Sequence, residues 1–220
     1  DYKKFIENNS DYPRINRLRY LAEQKIYLKN SSPAAVINWF QKNPPLGGLG
    51  KIKLAEAHLE QNNLMEVQKL VKDGWVNAEI RKNDMGYYRA KFKKFLTTDD
   101  HLKRADYLAW ERKYWDLKRM LKYLPKDERA LYNARQILMS NSYGVDNAIS
   151  KVPPHLKKNP GLEFDRLRWR NRRGRLEGSL EILYKNANKT ERQMIRPDLW
   201  WEQRKSVARS LIYKKRYKTA

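Results

Sequence analysis

The chain contains no cysteine, which excludes disulfide bonds, thiolate metal ligands and thiol nucleophiles. Its histidines are few, and His58, His101 and His155 have no second histidine or carboxylate at the spacing of helical metal ligands. Long apolar runs are also missing. Runs such as AAVINWF at 34–40 are far shorter than the roughly 20 residues that cross a bilayer. The sequence therefore predicts no metal site, no cofactor and no transmembrane segment.

Acidic residues are scarce relative to basic ones, 25 against 48, and the formal net charge is +23. A charge of this size implies an anionic partner, an anionic environment such as a cell wall or membrane surface, or a lysine-rich proteome. Hydrophobic residues make up 40% of the chain and aromatic residues 12%, which is enough to build a core despite the charge repulsion. We therefore expect a folded, strongly basic protein.

Strand-like alternation is nearly absent, and most glycines and prolines fall between stretches that have helical spacing of apolar residues. This pattern predicts an all-α protein. The predicted helices are 14–28, 33–41, 48–61, 64–76, 85–96, 99–113, 114–123, 127–141, 146–149, 160–173, 176–184 and 197–217. Short connections favour a solenoid of stacked antiparallel hairpins over a compact bundle. An alignment of Trp110 with Trp169 supports a repeat, and residues 1–220 are expected to form one domain.

No group of residues has the arrangement of a catalytic centre. The carboxylate pairs Asp99/Asp100 and Asp127/Glu128 fall where helices begin, so helix capping explains them better than glycoside hydrolysis. The segment GGLG at 47–50 lacks the lysine and hydroxyl residue of a phosphate-binding loop and is better explained as a turn entering a helix. No catalytic residue is predicted.

The densest positive charge is RLRWRNRRGR at 166–175, with six arginines around one tryptophan. On a helix these arginines divide between two faces, and either face could bind anions. Alternatively, several of them pair with carboxylates such as Glu163 and Asp165. Nucleic-acid binding is not favoured, because basic residues are spread over the whole chain and no known nucleic-acid module is present.

Trp200 and Trp201 are adjacent, so on a helix they point about 100° apart and cannot share one narrow face. A sugar-stacking platform is one interpretation. The repeat pattern favours another, in which the two rings fill two packing contacts between hairpins while Arg204 and Arg209 bridge neighbouring hairpins.

Several segments together are similar to a known family. LTTDDHLKRADYLAW (96–110), RMLKYLPKDERALYNARQIL (119–138), VPPHLKKNPGLEFDRLRWRNRR (152–173) and RPDLWWEQRKSVARSL (196–211) resemble, in order and spacing, the helical superhelix of soluble lytic murein transglycosylases. Upstream, YPRINRLRYLAEQKI (12–26) and VINWFQKNPPLGGLGKIKLAEAHL (36–59) resemble its N-terminal part. The resemblance covers essentially the whole chain.

The resemblance implies a right-handed superhelix of tetratricopeptide-like hairpins in an exported, periplasmic bacterial enzyme. Enzymes of this family cleave the MurNAc–GlcNAc bond of peptidoglycan and leave 1,6-anhydro-muramyl ends. Their catalytic glutamate lies on a separate lysozyme-like domain, whose Glu-Ser and Gly-Leu-Met-Gln segments have no counterpart here. The chain is therefore expected to be a non-catalytic scaffold and glycan-guiding part of a larger enzyme.

The partner implied by the resemblance is peptidoglycan, whose peptide carboxylates would be attracted to a basic surface, with other cell-wall proteins as further partners. Arg168 and Arg172 are the candidate contacts to this substrate. Two other functions stay open from the residues alone: a helical-repeat scaffold that binds a partner protein, and a basic repeat protein that binds RNA.

Overall fold

The computed structural model describes residues 2–140 and 143–220, and every regular element within these ranges is helical. The all-α prediction is therefore confirmed. No helix in the described ranges combines the length and apolar character that a membrane span requires. The chain divides into two compact units, Asp1–Tyr107 and Leu108–Ala220. That residues 1–220 act as one domain stays a prediction.

The first unit contains six helices and most of a seventh. They are α1 (Tyr2–Asn8), α2 (Ile15–Lys25), α3 (Pro33–Lys42), α4 (Gly48–Glu60), α5 (Leu64–Trp75), α6 (Met85–Lys91) and α7 (Thr98–Trp110), which includes the unit boundary. Helix α1 was not predicted. One core cluster of the first unit includes Val36, Trp39 and Phe40 of α3, which pack with Ala22 and Ile26. The predicted starts of α3, α4, α5 and α6 agree with the structure.

The second unit continues with α8 (Tyr114–Met120), α9 (Lys126–Met139), α10 (Val145–Ser150), α11 (Pro160–Arg172), α12 (Leu176–Lys185) and α13 (Pro197–Tyr213). Three short 3₁₀ turns lie at Leu121–Tyr123, Pro154–Leu156 and Glu191–Gln193. The end predicted for the helix that corresponds to α9, Asn141, lies outside the described residues. The core of this unit joins Trp110, Phe164, Leu167, Ile182 and Trp200.

Several helix starts follow directly from the sequence. The side chains of Ser32, Asn63 and Asn159 each accept a hydrogen bond from a backbone N–H in the first turn of the following helix, at 3.1 to 3.4 Å. Pro33 and Pro160 lie in the first turn of their helices. A backbone N–H at this place makes no hydrogen bond within the helix, so proline removes none there. These caps explain why α3, α5 and α11 begin at these residues.

Three hairpins turn through the same backbone conformation. The left-handed residue is Asn62 between α4 and α5 (φ 57°), Arg112 between α7 and α8 (φ 55°) and Gly174 between α11 and α12 (φ 65°). In each turn the N–H of the following residue donates to a carbonyl of the last helical turn at 2.9 to 3.0 Å, which is the Schellman arrangement. If the two turns are aligned, Arg112 corresponds to Gly174. The predicted alignment of Trp110 with Trp169 has a different register.

Glycines allow α4 and α5 to approach closely in the first unit. A Cβ added to Gly48 would lie 2.5 Å from the carbonyl oxygen of Gly74, which is closer than side-chain carbons come to backbone. Gly86 in α6 differs, because a Cβ added there would have no atom within 4 Å.

We expect Gly48→Ala to lower the free energy of unfolding by about 1 to 3 kcal/mol, because the helices must separate to admit the methyl group. The control Gly86→Ala is expected to be neutral or to stabilise the protein by up to about 1 kcal/mol through helix propensity. Urea denaturation measures both values. Equal effects of the two substitutions would contradict the close-approach explanation.

Lys53 is a buried cation of the first unit, with 2% of its surface exposed. Its ammonium group donates to the backbone carbonyls of Glu23 and Gln24, both at 2.9 Å, and lies 4.0 Å from the ring centroid of Tyr27. Burial lowers the pKa of Lys53 from 10.5 to about 8. The unfolded chain therefore binds a proton on Lys53 at a higher pH than the folded chain does.

This difference predicts a pH dependence of stability. Between pH 8 and 10.5 the unfolded state binds more protons at Lys53, so its contribution to stability rises with pH, with a limiting slope of about 1.4 kcal/mol per pH unit. We expect the wild-type free energy of unfolding to rise relative to that of Lys53→Met from pH 8 to 10. Urea denaturation at several pH values measures this difference, and parallel profiles for the two proteins would contradict it.

Candidate functional site

Both predicted binding residues, Arg168 and Arg172, lie on α11 and line one polar pocket of about 270 Å³ in the second unit. The remaining lining residues are Arg112, Asn171, Gln203 and Ser206. They come from the turn after α7, from α11 and from α13. The pocket therefore gathers three guanidinium groups, and no carboxylate is among its described lining residues.

Two of the three arginines are held by the end of helix α9. The guanidinium of Arg172 donates to the backbone carbonyls of Leu138, Met139 and Ser140 at 2.7 to 3.1 Å. Arg112 donates to the same Met139 carbonyl at 3.2 Å. The last carbonyls of a helix lack N–H partners in the next turn, and they carry the negative end of the helix dipole. Both side chains are therefore fixed by capping α9.

Arg168 is placed differently, one turn before Arg172 on α11. Its guanidinium carbon lies 5.8 Å from the ring centroid of Phe164. Within residues 2–140 and 143–220, no hydrogen bond or ion pair engages its side chain. Among the three arginines of the pocket, Arg168 is thus the one whose guanidinium donors are not engaged by the residues that the structure describes.

Burial and the proximity of like charges both disfavour the protonated forms of Arg168 and Arg172. Burial lowers the pKa of Arg168, the neighbouring Arg112 and Arg172 lower it further, and Asp165 opposes the shift. Burial also lowers the pKa of Arg172, with Arg112 and Arg173 acting in the same direction. A bound anion would relieve this repulsion between like charges.

Asp165 offsets part of the positive charge of Arg168 and Arg112, but its own ion pair is with a different arginine. Its carboxylate accepts a hydrogen bond at 2.7 Å from Nε of Arg135 on α9, and the exposed fractions of the two side chains are 5% and 0%. Burial raises the pKa of Asp165, and the Arg135 guanidinium opposes that shift. The Arg135 guanidinium also lies 5.2 Å from the ring centroid of Trp110 and packs against the backbone of Gly161.

Both carboxylates named in the alternative interpretation of the arginine-rich segment form ion pairs with residues outside that segment. Asp165 pairs with Arg135 of another helix, and Glu163 pairs with Lys185 at 2.7 Å. Arg170 of that segment instead pairs with Glu181 at 2.9 Å. The sequence did not reveal Arg135, because a lone arginine within an amphipathic helix carries no sign of burial.

Other residues singled out in the sequence lie at helix starts and in packing contacts. Asp100 accepts hydrogen bonds from the N–H and hydroxyl of Thr97, both at 2.8 Å, so it caps α7 as predicted. Asp127 lies in the first turn of α9, 3.9 Å from His155. His101 packs edge-on against Trp75 at 5.6 Å between ring centroids. In the described ranges no three His, Asp or Glu side chains form a cluster suited to a metal ion.

The GGLG segment enters α4 as predicted, and a buried carboxylate explains its glycines. Glu23 accepts hydrogen bonds from the N–H groups of Leu46 at 2.6 Å and Gly47 at 3.1 Å. A Cβ at Gly50 would overlap that same side chain. The segment is therefore shaped by packing around Glu23.

The two adjacent tryptophans have different environments. Trp200 is 3% exposed and packs on Phe164 at 5.3 Å between ring centroids. Trp201 is 58% exposed, so the expectation that both rings fill packing contacts is wrong for Trp201. Arg204 reaches back to the Asn186 carbonyl at 3.4 Å, and Arg209 is exposed on α13.

Trp201 borders an apolar groove between α12 and α13. The groove has a volume of about 390 Å³ and includes Leu180, Tyr184, Val207 and Leu211 among its lining residues. Tyr184 is 61% exposed at its edge. The groove is apolar in contrast to the arginine pocket, so the second unit presents two chemically different concavities.

Comparisons with protein-family models, with curated proteins and with solved structures find no match to this chain. The functional assignment therefore depends on the resemblance in the sequence and on the chemistry of the arginine pocket.

Proposed function

We propose that this chain is the non-catalytic scaffold and glycan-guiding region of a periplasmic enzyme of the soluble lytic murein transglycosylase kind. In this proposal its hairpins stack as a right-handed, tetratricopeptide-like superhelix along the peptidoglycan. The enzyme's cleavage of the MurNAc–GlcNAc bond to 1,6-anhydro products is the work of a separate domain. The partner is the anionic glycan, together with other cell-wall proteins.

The observation that carries the proposal is the pocket of Arg112, Arg168 and Arg172. It combines three guanidinium groups with neutral hydrogen-bonding side chains, and one of the three, Arg168, has donors left for a ligand. Carboxylates on the muramyl peptides are suited to such a pocket. The repeated left-handed turn of the hairpins and the net charge of +23 are consistent with a basic helical-repeat scaffold.

Sedimentation with purified sacculi tests this function. The 220-residue chain should pellet with sacculi at low salt, be released as salt rises, and generate no anhydro-muropeptides. RNA added at moderate salt should not displace it. Failure to pellet at low salt would contradict glycan binding, anhydro products from this chain would contradict its non-catalytic role, and displacement by RNA would favour nucleic-acid binding.

A protein-binding scaffold is the second candidate, and the apolar groove beside Trp201 favours it. Exposed aromatic side chains at an apolar groove are typical of sites that bind a partner helix or peptide. Capture of one defined protein by the wild-type chain, lost in Trp201→Ala and accompanied by no binding to sacculi, would support this candidate over the first.

A further inference from the structure

The arginine pocket presents hydrogen-bond donors in excess. The Nδ2 amide of Asn171 donates to Oε1 of Gln203 and to Oγ of Ser206, both at 3.0 Å. These two bonds use acceptor atoms of the α13 side chains and leave the Nε2 amide of Gln203 and the hydroxyl hydrogen of Ser206 as donors. Two side chains of α13 that line the same pocket as Arg168 thus retain donor hydrogens.

The framework of the pocket is held in place before any ligand binds. Arg172 and Arg112 are fixed on the α9 carbonyls, and the Asn171 bonds join α11 to α13. Arg168 lines the same pocket, and its guanidinium carbon lies 5.8 Å from the centroid of the Phe164 ring. Pre-organisation of this kind lowers the entropic cost of binding.

We propose that this pocket is a discrete binding site for a single carboxylate group, with the guanidinium of Arg168 as the bidentate partner. A planar fork of two N–H donors matches the two oxygens of a carboxylate. Gln203 and Ser206 donate to the outer lone pairs of those oxygens. Arg112 and Arg172 supply positive potential while keeping their own hydrogen bonds to α9.

The pocket favours a carboxylate over a phosphate, because among its three guanidinium groups Arg168 is the one that has no hydrogen bond to the described residues. A phosphate has three or more oxygens to satisfy, whereas two of the three guanidinium groups already donate to Met139 and its neighbours. The source of the carboxylate rests on the proposed function, which supplies it from the peptides of the cell wall. The site itself rests only on the geometry of the second unit.

Side-chain NMR of the full 220-residue chain tests the site. Acetate and inorganic phosphate are titrated separately against sodium chloride at equal ionic strength, while the Nε–H resonance of Arg168 and the side-chain amides of Asn171 and Gln203 are followed. We expect saturable shifts with acetate at a dissociation constant on the order of millimolar. Arg168→Met should weaken this binding at least tenfold, and Arg192→Met, an exposed arginine outside the pocket, should leave it unchanged.

Ser206→Ala keeps the test valid if Arg168→Met fails to fold, because Ser206 is exposed and its loss should weaken acetate binding several-fold. Shifts that do not saturate, equal losses in Arg168→Met and Arg192→Met, or phosphate binding tenfold tighter than acetate would each overturn the carboxylate site. Sacculus binding without acetate binding would overturn the site alone. Acetate binding without sacculus binding would support the site and overturn the proposed function.

Discussion

Replacing Arg135 by methionine is expected to lower the free energy of unfolding by about 3 to 5 kcal/mol. Arg135 is fully buried, and its Nε donates at 2.7 Å to the carboxylate of Asp165, which is itself buried. Removing the guanidinium leaves that carboxylate without its cation in a site with little access to water. The cost comes mainly from this unpaired charge, because methionine fills much of the same volume.

The double variant Arg135→Met/Asp165→Leu separates the unpaired charge from a loss of packing. Removing both charges should restore most of the stability lost in Arg135→Met, because buried ion pairs contribute little net stability over apolar residues of similar size. Chemical denaturation of wild type, both single variants and the double variant completes the cycle. Additive losses would show that the two side chains act independently and would contradict this account.

Replacing Trp200 by alanine is expected to cost about 3 to 5 kcal/mol of unfolding free energy, because the indole is buried against Phe164 in the core of the second unit. The matched control is Trp201→Ala on the next residue of α13. Trp201 is 58% exposed, and its ring lies 6.0 Å from the ammonium of Lys205. Its loss should change stability by no more than about 0.5 kcal/mol.

Thermal or urea unfolding of the two variants tests whether the adjacent tryptophans have separate roles. Similar large losses would indicate that Trp201 is also a packing residue, as the sequence pattern suggested. A large loss for Trp200 with none for Trp201 supports the division into one core ring and one exposed ring. That result would leave Trp201 available for the groove between α12 and α13.

Helix positions were predictable because the signals that define them are local. Ser32, Asn63 and Pro160 mark helix starts through groups that lie next to each other in the chain. The capping role of Asp100 was predictable for the same reason. Helix α1 escaped prediction, because Ile6 is the buried residue described in it, and a single apolar position does not define a period.

The chemistry of the site was predictable only in part. The density of arginines pointed to Arg168 and Arg172, but Arg112 and the α13 side chains come from distant parts of the sequence and meet only in the fold. The burial of Arg135 had no local signal either. Trp200 and Trp201 are the same residue type in the same sequence context, so tertiary packing alone decides which of them is buried.

The most direct test of the central claim is the affinity of Arg168→Met for purified sacculi at low salt, compared with that of Arg192→Met. Both substitutions remove one positive charge from a chain of net charge +23. If the pocket binds the glycan's carboxylates, Arg168→Met should bind at least about tenfold more weakly than wild type, as expected for a lost charge-assisted hydrogen bond, and Arg192→Met should bind like wild type. Equal affinity of the two variants would contradict the claim that this pocket carries the binding.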